Sequence, residues 1–181
     1  MLTITIPAKE DFNNDTQEFI VVEKEQKLQL EHSLLSLSKW ESKWHKPFLG
    51  RDEMSLEEIL DYVRCMTLTP NVDQEVYYRL TDDNISEIRK YINDTMTATT
   101  IREVDDGSSC REIITSEILY YDMISLNIPF ECQKWHLNRL ITLIKVCNIK
   151  NSPQKKMSVS EIYSRNKALN EARKKQLNSK G

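Results

Sequence analysis

Glycine is nearly absent from this chain, at three of 181 residues. Gly50, Gly107 and Gly181 stand alone, so no glycine-rich phosphate loop, Walker motif or dinucleotide fingerprint is present. Proline is limited to five residues; with so few turn formers, helices are expected rather than a many-stranded barrel. The four cysteines, Cys65, Cys110, Cys132 and Cys147, are widely spaced and form no Cys-x-x-Cys pair. They read as reduced thiols of a cytosolic protein. No apolar run approaches the roughly 18–20 residues of a membrane span, and Met1 to Pro7 has neither a basic nor a long apolar segment. Neither a membrane anchor nor a secretory leader is expected.

What remains is 39% hydrophobic and 29% charged, a composition suited to a folded soluble protein with one good core or two small ones. The net charge of −3 is uneven. From Lys150 to Gly181 there are nine Lys/Arg against two Asp/Glu, +7, so the preceding 149 residues carry −10. Two regions are expected: an acidic, mainly helical domain over 1–149 that opens with strands, and a basic linker and helix over 150–181. A basic end can attract an acidic partner, nucleic acid or the acidic body, or simply form a solvated helix.

Residues 2–6 alternate Leu, Thr, Ile, Thr, Ile, the period of a half-buried strand. Asp11 to Gln17 reads as a polar loop, and Phe19–Val22 and Leu28–Leu30 as further strands of a two- or three-stranded N-terminal sheet. From Ser33 the period becomes helical through Leu34, Leu35, Leu37, Trp40 and Trp44, closing at Pro47. Ser55 and Glu58 form a capping box before Ile59, Leu60, Tyr62, Val63 and Met66. Short helices are expected over 72–79 and, after Thr81, through Ile85, Ile88, Tyr91 and Ile92. Met96–Ile101, the turn signal Asp105 to Ser108 and Arg111–Ile114 predict a β-hairpin over 96–114. Ile118 to Leu126 and then Pro129 to Val146 predict a strongly apolar helix pair. A last helix, 158–177, carries few core candidates. The expected fold is α+β, mainly α: a helical core with a small N-terminal sheet and a mid-chain hairpin.

Four patterns could carry chemistry. Cys132 and His136 lie four apart on one expected helix, but zinc needs three or four protein ligands, and His32 and His45 are distant in sequence, so no metal site is expected. The same pair sits beside Trp135 among leucines, an unsuitable setting for a reactive thiolate. Glu57–Glu58, Asp82–Asp83 and Asp105–Asp106 are explained as first-turn and turn carboxylates. The basic C-terminal region has one aromatic, Tyr163, too few for a base-stacking platform. No enzyme activity, cofactor or nucleic-acid partner is expected; oligomerisation is left open.

Trp40, Trp44 and Phe48 fall at four-residue spacing. That pattern fits a core stripe, or alternatively an exposed groove for a partner helix.

Several segments resemble proteins of the tail-gene module of tailed bacteriophages, commonly described as tail assembly chaperones. These are Leu28 to Leu34 running into Lys39 to Trp44, Met96 to Thr100, Ile113 to Glu117, Ile128 to Leu140, and Arg165–Asn166 through Ala168–Asn170 to Gly181. The resemblance implies binding of the tape measure protein, a long, helical, aggregation-prone chain, and of other tail proteins in the host cytoplasm during viral morphogenesis. Within the same module, a structural component of the tail tip or baseplate in the virion is the alternative. No catalytic residues are carried over. The expected contact surface is Trp40, Trp44 and Phe48, with Arg173, Lys174 and Lys175 as an electrostatic clamp.

Overall fold

The computed structural model describes residues 1–13, 17–51, 53–101, 113–151 and 159–177. The fold is α+β and mainly α. The chain divides into two compact units, Met1–Asn148 and Ile149–Gly181.

Four strands open the first unit. β1 (Leu2–Ile6) pairs antiparallel with β4 (Gln26–Leu30), and between them in sequence β2 (Lys9–Asn13) pairs with β3 (Glu18–Glu23). The single small sheet expected from the sequence is therefore two separate two-stranded ribbons. Asp11 and Phe12, read as loop, lie in β2. In the β1–β4 ribbon the alternation is strict: Ile4, Ile6, Leu28 and Leu30 are buried while Thr3, Thr5, Lys27 and Gln29 face outward. Two strands alone are marginal; this pair is covered by helices.

Helix α1 (Leu34–Trp44) starts at a capping box in which Ser33 and Ser36 satisfy each other's backbone amides, and ends at His45 in the left-handed region. Helix α2 (Leu56–Met66) begins at the expected Ser55/Glu58 box. Its end returns to the sheet, where the Glu31 amide donates to the Met66 carbonyl and the Leu68 amide to that of Gln29. A single turn, α3 (Gln74–Tyr77), is shorter than the helix expected over 72–79. Helix α4 (Asp82–Asn93) is capped by Thr81, and its Asn84 side-chain amide donates to the Thr5 carbonyl, fixing the helix against β1.

Of the mid-chain hairpin expected over 96–114, residues 102–112 lie outside the described residues. The flanks 96–101 and 113–115 carry no strand. Helix α5 (Ser116–Ser125) follows, and it ends at Asn127 with a φ of 53°. The continuous helix expected from Pro129 to Val146 is broken. A 3-10 turn covers Phe130–Lys134, and α6 (Leu137–Asn151) starts afresh. The cause is distant in sequence: the Leu137 amide donates to the His32 carbonyl at 2.7 Å, and His136 forms an isolated bridge with Ser33. Helix α6 buries Leu137, Leu140 and Ile144, and Ile141, Leu143 and Cys147 pack half-buried against the same core.

Two groups of buried side chains make the core. One joins Ile4, Ile6, Leu28 and Leu30 of the sheet to Trp40, Tyr62, Met66, Ile88 and Tyr91. The other joins Leu34 and Leu37 to Leu119, Met123, Leu137 and Leu140. Helix α1 contributes to both. In the second unit, α7 (Val159–Leu177) holds Arg173, Lys174 and Lys175, and every side chain described on it is exposed.

Candidate functional site

The aromatic stripe is the first place to look for a binding surface, and Trp40 corrects that expectation. Trp40 is fully buried, and its indole N–H donates to the Glu58 carbonyl at 3.0 Å. It cannot touch a partner while the core is closed. Trp44 stacks on Trp40 with ring centroids 6.0 Å apart, and its own N–H donates to the Asp61 carboxylate at 2.8 Å. A polar N–H on each indole needs an acceptor when buried, and helix α2 supplies both. The third aromatic, Phe48, leaves the stripe after Pro47 and lies against Tyr62, ring centroids 3.9 Å apart.

The buried ionisable groups carry the joints of the fold. Asp61 also takes the Lys43 ammonium at 2.5 Å. Glu58 accepts the Ser55 amide and the side chains of Lys46 and Arg51. The Ser55 amide, then Lys46 and Arg51, hold its carboxyl down to about 2. Glu41 accepts two backbone amides, Phe48 at 2.9 Å and Ser116 at 2.7 Å.

His32 and His136, far apart in sequence, meet with ring centroids 5.1 Å apart. Burial, and secondarily His136, pushes His32 down to about 3. Burial also lowers His136. Both imidazoles are therefore neutral at pH 7. His32 Nδ1 lies 2.5 Å from the Tyr62 hydroxyl, which burial keeps protonated; the His32 tautomer sets which of the two donates. His136 Nε2–H donates to the Tyr91 carbonyl at 3.0 Å, and its buried Nδ1 has no hydrogen-bond partner among the described residues. Cys132 lies on the 3-10 turn and His136 beyond it, so the i, i+4 geometry read from the sequence does not arise. Among the described residues no group of three or more His, Cys, Asp or Glu side chains is placed to hold a metal ion. Cys65, Cys132 and Cys147 are free thiols.

A cleft of about 720 Å³ opens between α2 and α4. Ile59, Leu60 and Val63 form one wall, Ile85, Ile88 and Ile92 the other, and Phe48, Met54 and Leu80 close the ends. Arg51, Glu53 and Arg89 stand among them as charged members. No family model, curated protein or solved structure matches the chain. What the cleft can hold follows from its own geometry. Its walls are aliphatic and run along two helices, the form of groove that takes the apolar face of an amphipathic helix.

Of the six expected contact residues, Phe48 alone lines this cleft. Arg173, Lys174 and Lys175 are exposed near the end of α7. The periodicity of α2 and α4 marks their apolar positions as helix faces without showing that the two faces border a cleft. The available signal was that α4 carries more apolar positions than one buried row needs. Ile88 and Tyr91 are buried, whereas Ile85 and Ile92 are half-buried and face the cleft.

Proposed function

We propose that this protein holds another polypeptide, acting as a tail assembly chaperone of a tailed phage that takes an apolar helical segment of the tape measure protein into the α2–α4 cleft. The observation that carries the reading is the cleft itself: aliphatic walls contributed by two helices, open to solvent. The likeness of several sequence segments to the phage tail-gene module supplies the partner. A groove lined mainly by Ile, Leu and Val, together with Phe48 and Tyr62, makes apolar contacts with little directionality, which suits a client that must later be released to the growing tail tube. The exposed cations of α7, Arg173, Lys174 and Lys175, add an electrostatic clamp for acidic stretches of the client.

Co-purification with the tape measure protein of the same phage tests the reading. Ile59→Glu and Ile85→Glu alter half-buried cleft positions and are expected to abolish capture while leaving the helical circular dichroism unchanged. Undiminished capture by both variants contradicts the site. Mass spectrometry of purified particles separates a chaperone, which is expected to be absent, from a permanent tail-tip or baseplate component.

A further inference from the structure

A second surface lies apart from the cleft. The β2–β3 ribbon exposes Phe12, Phe19, Val21 and Val22, each at least half accessible. Pairing of Phe12 with Phe19 and of Glu10 with Val21 puts the two rings and Val21 on one face, and the register shift between Lys9 and Glu10 leaves Val22 as the extra residue of a bulge. The rings touch edge to face, centroids 5.2 Å apart. The face carrying Phe12, Phe19 and Val21 is exposed, and among the described residues neither outer edge has a partner strand. Unpaired edges offer a row of backbone donors and acceptors to an incoming strand.

The charge around this ribbon leans acidic. At its root, Glu23, Glu25, Asp73 and Glu75 line a notch of about 370 Å³ with Lys24 and Arg79, and Arg79 is ion-paired with Glu23. Along β2, Glu10 and Asp11 outnumber Lys9. A second copy of the ribbon would set carboxylates against carboxylates, which disfavours self-pairing. A segment bearing Lys or Arg at alternate positions would satisfy the edge, cover the valines and phenylalanines, and neutralise the notch.

We propose that the β2–β3 ribbon is a docking arm for an extended, basic polypeptide segment, added as a third strand and steered by the acidic notch at the ribbon's root. This goes beyond the helix-binding cleft and stands or fails separately from it.

The test titrates the full chain with a capped peptide of about eight alternating Lys and Val residues, the length of an ordinary strand. A Glu/Val counterpart is the control, and backbone amide exchange is followed throughout. The Lys/Val peptide is expected to slow exchange within Lys9–Asn13 or Glu18–Glu23 and to bind more weakly as salt rises. Phe19→Thr, which keeps strand propensity, and the double reversal Glu25→Lys, Glu75→Lys are each expected to weaken binding about tenfold. The reversal lies off the ribbon, so its effect does not depend on ribbon folding. Equal binding of the Glu/Val peptide, absence of binding, protection at α2–α4 instead of the ribbon, or dimerisation through the ribbon without peptide would overturn the proposal.

Discussion

The carboxylate of Glu41, near the end of α1, accepts the backbone amide of Ser116 at the start of α5, 75 residues later, at 2.7 Å. Thr115 provides no side-chain cap for α5, so Glu41 replaces it. Its other oxygen takes the Phe48 amide. One buried side chain thereby fixes both the start of α5 and the loop that carries Phe48 to the cleft.

Removing that carboxylate leaves two amides short of an acceptor, and each orphaned buried donor costs about 1–3 kcal/mol. Glu41→Ala is therefore expected to lower unfolding free energy by about 2–4 kcal/mol. Glu41→Gln should recover part of this, since its amide keeps one oxygen acceptor. Urea titration followed by circular dichroism measures both.

Trp40→Ala removes a fully buried indole and orphans the Glu58 carbonyl contact, with an expected loss of about 3–5 kcal/mol. Trp44→Ala should cost less, because Trp44 is only half-buried. If the Trp40 variant stays as stable as the parent and binds less, the indole acts at a surface and its placement in the core is wrong.

Acid should loosen the protein above the carboxylate range. His32 titrates near 3 when folded and near 6.5 when unfolded, and His136 is lowered too. Where the native pKa is depressed, the unfolded chain binds more protons as pH falls below 6.5, so stability is full above that pH and declines below it. The decline from His32 alone has a limiting slope of about 1.4 kcal/mol per pH unit. Between pH 6.5 and 5 the carboxylates scarcely contribute, which isolates the imidazoles. Denaturation midpoints across that window are expected to fall. His32→Gln should flatten the slope there even if it lowers stability at pH 7.

Burial, with Asp61 beside it, pushes the Cys65 thiol up to about 11. Cys65 is therefore expected to react with a disulfide reagent at pH 8 many-fold more slowly than an unperturbed thiol. Peptide mapping after brief labelling reads this directly, and rapid modification of Cys65 in the native protein would contradict its placement.

Much of the helical frame was legible because its signals are local. Ser55 with Glu58, and Thr81 before an apolar-periodic run, mark helix starts by side chains three residues apart. β1 was legible from its alternation. β2 was not, since Lys-Glu-Asp-Phe-Asn has little apolar content and is a strand only because β3 pairs with it. The break before α6 was equally hidden, being set by the carbonyl of His32, more than 100 residues upstream. For the candidate site, the stripe Trp40–Trp44 was visible as one helix face. Which way it points was decided by acceptors on α2, the Glu58 carbonyl and the Asp61 carboxylate, which spacing cannot reveal. Phe48 lies beyond the end of α1, after Pro47, yet its ring still meets Trp40 edge to face with centroids 5.3 Å apart.

The α2–α4 cleft is the centre of the functional account, and site-specific photocrosslinking examines it most directly. Benzoylphenylalanine would replace Ile59 or Ile85 in the cleft and, as a control, Tyr121 on the exposed side of α5. Irradiation with the tape measure protein should give a crosslinked species from both cleft positions and none from position 121. Crosslinking at position 121 with none at 59 or 85 would contradict the account.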